Sequence, residues 1–206
     1  MKTLYWRSIK EALMTGYDHI GLLMAANILF VLASLPIVTL PVTIPMLGAA
    51  VSSIASGEKL SWRRLWEDAG RYYLGGGALL ICAVGVTVLL IADLHILGAM
   101  KKSHPEIAYL TMGFVLCFLL AWLLMQIYVL PFFLKEPGAV WKAFKKAFFL
   151  LLDNFALSVA LALTMLVVVL IMVVSGVGPF VLMVSFLFLL QQRFFDNLME
   201  RYDEQR

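Results

Sequence analysis

The chain has 206 residues, 63% of them hydrophobic and 14% charged, against about 45–50% and about 25% in soluble domains. That balance excludes a water-soluble globular domain, and continuous apolar runs without alternation argue against a transmembrane β-barrel. Sixteen Lys and Arg against thirteen Asp and Glu leave a net charge of +3, too small and too scattered for a nucleic-acid binder.

The expected fold is all-α: a polytopic transmembrane helix bundle forming one integral-membrane domain over residues 1–206, surrounded by lipid bilayer. It opens with an amphipathic helix over about residues 3–18, where Trp6, Ile9 and Leu13 oppose Arg7, Lys10 and Glu11, the pattern of a helix lying at the membrane interface. No small-residue cleavage site follows the first apolar run, so no signal peptide is expected and the mature chain should begin near Met1. Residues 20–40 make the first membrane segment, with Asn27 and Ser34 on one face. A turn rich in proline (Pro36, Pro41, Pro45) leads to a second segment, 42–56, which is short and reads as either crossing or re-entrant.

A second interfacial helix is expected over 61–73, with Trp62, Leu65, Trp66 and Ala69 on one stripe and Arg63, Arg64, Glu67, Asp68 and Arg71 on the other. Gly75, Gly76 and Gly77 follow without the Lys-Ser/Thr of a phosphate loop, so they read as loosening or closely packing the start of the next crossing. That crossing is 74–98, and the fourth is 107–134. Cys82 and Cys117 lie within these runs and read as small packing residues. The third interfacial helix, 139–152, has Phe144, Phe148 and Leu151 at helical spacing, with Lys142, Lys145 and Lys146 on the other face. Segments 154–174 and 177–192 complete six crossings. In the first of these, Ala156, Ala160 and Thr164 form a small-residue face suited to close packing within the bundle or between subunits of an oligomer.

Basic residues set the expected orientation. With six crossings and both termini cytoplasmic, fourteen Lys and Arg fall inside and only Lys101 and Lys102 outside, as the bias of cytoplasmic loops requires. Three of the five tryptophans, Trp6, Trp62 and Trp141, are followed directly by a basic residue and then by an apolar hairpin. Interfaces select this chemistry repeatedly, so convergence explains the pattern better than internal duplication.

Candidate chemistry is sparse. Asp93 is the only acidic residue inside an apolar run, and with Asn27 and Gln126 it supplies the material for a polar path. Pairing of Asp93 with Lys101, Lys102 or His104 at the outer surface, and interhelical bonding by the two amides, are the simpler readings. No metal, cofactor or catalytic arrangement is expected: His19, His95 and His104 are dispersed, and no nucleophile stands beside a base.

The succession "LPVTIPMLGAAVSSIASGEKLSWRRLWEDAGRYYLGG" (Leu40 to Gly76), "QIYVLPFFL" (Gln126 to Leu134) and "WKAFKKAFFLLLDNFALSVAL" (Trp141 to Leu161) resembles the YesL-like family of bacterial integral-membrane proteins. The resemblance implies a multi-pass protein of the bacterial cytoplasmic membrane associated with carbohydrate uptake, and supplies no catalytic residues. Gly138, Ala139, Trp141, Phe144 and Lys145 also resemble the coupling helix of ABC permeases, although Lys135-Glu136-Pro137 replaces its Glu-Ala-Ala start. The leading expectation is therefore an accessory protein, not an enzyme, that binds partners such as ABC-type carbohydrate importer subunits. Its docking residues would be Trp62, Arg63, Arg64, Trp66, Trp141, Lys142, Phe144, Lys145 and Lys146. The alternative is a small transporter or channel using Asp93, Asn27 and Gln126.

Overall fold

A computed structural model describes residues 2–58, 62–100, 105–176 and 178–204, with the side chains of residues 2, 3, 62, 64–68 and 71 outside that description. Among the described residues the chain is wholly helical: α1 (Lys2–Asp18), α2 (Ile20–Ala33), α3 (Leu40–Ala55), α4 (Trp62–Met100), α5 (Pro105–Lys135), α6 (Val140–Asp153), α7 (Phe155–Val174) and α8 (Val184–Glu204). A 3₁₀ turn, Ile37–Thr39, leads into α3, and a π-helical turn, Pro179–Met183, leads into α8.

Five stretches are long and apolar enough to cross a membrane: Ile37–Ala55, Tyr72–Met100, Pro105–Lys135, Phe155–Val174 and Pro179–Glu204. The irregular element is the first segment rather than the second. α2 has only 14 residues, about 21 Å at 1.5 Å per residue, short of the roughly 30 Å hydrocarbon core. It meets α1 at 86°, and the two make at most one broken span. The expected helix 61–73 is likewise not separate, since α4 runs unbroken for 39 residues. With helix formers on both sides and no proline, nothing stops the amphipathic turns from continuing into the crossing.

Large apolar side chains cover the outside of α4, α5 and α7: Leu110 is 80% exposed, Phe114 76% and Ile81 74%. Water does not tolerate so extensive an apolar surface on a monomer, whereas lipid requires it. This is a multi-pass membrane protein. Cys82 and Cys117 belong to that outward surface and do not pack inside.

The core gathers at one end. There the last turns of α5 (Leu124 to Phe133), the inner face of α6 and Phe194, Phe195 and Leu198 of α8 form the larger apolar cluster. A smaller one joins Leu23 and Ala26 of α2 to Leu47, Val51 and Ile54 of α3 and Leu189 of α8. α4 and α5 are antiparallel, with Trp122 Nε1 donating to Thr87 Oγ1 at 3.1 Å and Tyr72 against Phe133 near the core end. Lys135, the three lysines of α6, Arg193 and Arg7 collect around that end, which is called the basic end below.

Two helical prolines shape the packing. Proline has no N–H to give the carbonyl four residues back, and lipid offers that carbonyl no substitute. Pro131 thus frees the Ile127 carbonyl, which accepts from Gln191 Nε2 of α8. Pro45 frees the Pro41 carbonyl, which presses on Gly76 of α4 so closely that a Cβ there would lie 1.9 Å from the oxygen. Of the two readings of the glycine run, close packing is the one observed. The contact places a Cα–H against an otherwise unserved acceptor.

α1 packs with an unexpected face. Ser8, Ala12 and Gly16, at four-residue spacing, are buried against α8, while Trp6, Leu13, Met14 and Tyr17 look outward. Lipid is as apolar as leucine, so apolarity does not choose the inward face; small residues that let two helices approach do. Two tyrosines hold α7. Ser158 Oγ donates to the Asn154 carbonyl, so Tyr128 donates to Ser158 at 2.6 Å. By the same logic Thr164 bonds the Ala160 carbonyl and receives the Tyr5 hydroxyl. The small-residue face of α7 accordingly meets α1 at Ala160 and Thr164, while Ala156 is exposed.

Candidate functional site

α6 begins after a turn whose Gly138 has φ +95°, a conformation that a side chain resists. The chain then folds back along α5. Ala143, Phe144, Ala147, Leu150 and Leu151 recur at helical spacing and are buried. The alanines permit close approach, and the Phe144 ring stacks on Trp122 with centroids 5.5 Å apart and planes 9° from parallel. Phe144 is therefore 8% exposed, a residue that fixes α6 and is not available to a partner.

The opposite face holds the remaining candidates. Trp141 is 80% exposed, beside exposed Lys142 and Lys145, with Phe149 and Leu152 also outward. Phe148, expected on one apolar stripe with Phe144 and Leu151, lies at the outer surface while those two pack inside. Lys146 is partly committed: its Nζ lies 2.6 Å from Glu136 Oε1 and 5.9 Å from the centre of the Phe132 ring. Lys142 and Lys145 make no ion pair with a described residue.

The Lys146 hydrogen bond, with the charges of Lys146 and Lys142, holds the Glu136 carboxyl below the usual carboxylate range. A depressed folded pKa contributes stability above the unfolded pKa, and that contribution disappears as pH falls through the folded one. Wild type should therefore melt slightly above Glu136→Gln at neutral pH, and the two midpoints should meet in acid. The difference is small because both partners are about half exposed. Thermal scans of both proteins across pH check this, and a gap that persists in acid would refute it.

Much of the polar face of α1 is spent internally, while Lys10 is exposed. Arg7 bridges Glu11 at 2.8 Å and Glu200 of α8 at 3.1 Å. Asn197 donates to Ser8 Oγ at 3.0 Å and to Glu11 at 2.8 Å, and Arg193 donates to Thr15 at 2.8 Å. Sequence reading missed this zipper, whose only local signal is Arg7 and Glu11 at ion-pair spacing; nothing in linear order joins position 8 to position 197. On α4, Arg63 is exposed and takes part in interactions, whereas the side chains of Trp62, Arg64 and Trp66 lie outside the described residues.

The three intramembrane polar candidates sit in separate surroundings. Asn27 is buried and fully engaged. Its Nδ2 donates to the Phe180 carbonyl at 2.8 Å, and its Oδ1 accepts from the Val184 and Ser185 amides, each at 3.1 Å. Asp93 is exposed on α4, and its expected partners Lys101, Lys102 and His104 lie outside the described residues. Gln126, half-buried on α5, has a buried Nε2 without a partner. No group of three or more His, Cys, Asp or Glu able to hold a metal occurs among the described residues. No family model, curated protein or solved structure matches the chain.

Proposed function

We propose that this protein is an accessory membrane protein that binds other membrane proteins through the outer face of α6, with both termini and the basic end in the cytoplasm. One observation carries the reading: α6 is anchored by its alanine face and Phe144, yet turns Trp141, Lys142 and Lys145 outward, with neither lysine in an ion pair with a described residue. An exposed tryptophan flanked by unpaired cations suits a partner surface that is acidic and partly apolar. The clustering of basic residues at one end supports the cytoplasmic assignment. The resemblance to the YesL-like family points to carbohydrate importer subunits of the ABC type as the partner class. The full engagement of Asn27 argues against its lining a polar path.

The test is affinity purification of the tagged protein from native membranes in several mild detergents, followed by identification of what co-purifies. Importer subunits should be recovered with wild type and lost with the triple change Lys142→Gln, Lys145→Gln, Lys146→Gln, at unchanged membrane insertion. Recovery of the same partners with the triple variant would move docking elsewhere. Recovery of this polypeptide alone in every detergent would remove the reading.

A further inference from the structure

A groove of about 430 Å³ runs between α2, the 3₁₀ turn, the first half of α3 and Tyr73 of α4. Its size falls within the roughly 300–1,000 Å³ of ligand pockets. Leu29, Phe30, Val38, Val42 and Met46 supply most of its wall, and it opens along one side, where Leu29 and Val38 belong to the outward apolar surface. The threonine hydroxyls that reach it are already bonded. Thr39 Oγ1 donates to the Pro36 carbonyl at 2.6 Å, and Thr43 Oγ1 pairs with Ser34 Oγ at 3.1 Å. Tyr73, the remaining polar side chain of the lining, is half exposed and stands at the start of the apolar span Tyr72–Met100.

We propose that this groove holds one acyl chain of a membrane phospholipid. Apart from the Tyr73 hydroxyl, water would find no free side-chain hydroxyl along the wall, and an empty groove would forfeit its dispersion contacts. The groove continues the lipid-facing surface without a polar rim, so the surrounding hydrocarbon is its natural occupant. Beyond Tyr73 the wall offers no free side-chain hydroxyl to recognise a headgroup inside, so selection rests on the chain.

The test reconstitutes the full-length protein in phosphatidylethanolamine–phosphatidylglycerol vesicles containing a phospholipid with a photoactivatable diazirine in its acyl chain, and maps the adducts by mass spectrometry. Adducts should be denser at Met46, Phe30 and Val38 than at Phe114 and Leu110, which face lipid without a groove. Ala33→Trp and, separately, Val38→Trp place an indole in the groove from exposed positions; each should lower adducts at Met46 and Phe30 to the level at Phe114. Uniform labelling in wild type, or groove labelling unchanged by both variants while each elutes as a folded monodisperse species, would overturn the proposal. A groove that stays unlabelled while Phe114 and Leu110 are labelled would mean that something other than lipid covers it and would overturn it equally.

Discussion

Gly76→Ala destabilises the protein, and the neighbouring Gly77→Ala does not. A Cβ at Gly76 would stand 1.9 Å from the Pro41 oxygen and 3.1 Å from Pro41 C, whereas at Gly77 the nearest atom is Pro41 Cβ at 3.9 Å. The obstacle at Gly76 is backbone, made stiffer by two prolines, so no side-chain rotation relieves it. α3 must move off α4, which also uncovers the carbonyl that Pro45 leaves without a donor. Overpacking typically costs about 1–3 kcal/mol, and this contact belongs at the upper end. At Gly77 the change instead gains up to about 1 kcal/mol of helix propensity. Thermal midpoints in detergent, followed by the surviving monodisperse peak, should fall for the first variant and hold or rise for the second. Equal behaviour would mean that α3 and α4 are not in this contact.

Asn27→Leu produces the second large effect. A side-chain hydrogen bond between membrane helices averages only about 0.6 kcal/mol, which by itself predicts little. Asn27, however, serves three backbone groups where the π-helical turn joins α8: the Phe180 carbonyl and the Val184 and Ser185 amides. Leaving buried polar groups unserved costs about 1–3 kcal/mol each, so the expected loss is roughly 3 kcal/mol or more. The midpoint should drop well below that of Ser34→Ala, which removes one hydroxyl pair. A midpoint equal to wild type would show that the turn does not depend on this amide.

The bundle was legible because lipid imposes a length and a composition on every segment that crosses it, and those survive in linear order. Residues 107–134 and 154–174 correspond within two residues at each boundary to α5 and α7. The break at His19 was also legible, because the amphipathic pattern of 3–18 gives way to an apolar run at Ile20; what linear order did not show is that α2 ends at Ala33 and that Ser8, Ala12 and Gly16 pack on α8. Half of the α6 site was legible too. Its helical period separated Phe144 from the lysines, but that Phe144 and Leu151 pack inward while Phe148 stays at the surface required knowing where α5 lies.

The sequence by itself determined the solvent of this protein, its helical class and the clustering of its cations, because each follows from residue chemistry counted along the chain. Tertiary structure alone decided which helix faces turn inward, that Asn27 closes a turn, that Gly76 receives a carbonyl and that Arg7 and Glu11 of α1 engage α8. In a bilayer both faces of a helix are permitted to be apolar, so hydrophobicity no longer marks the inside. What selects the inside is close approach of small residues and the pairing of polar groups that lipid cannot serve, and both depend on partners distant in the chain.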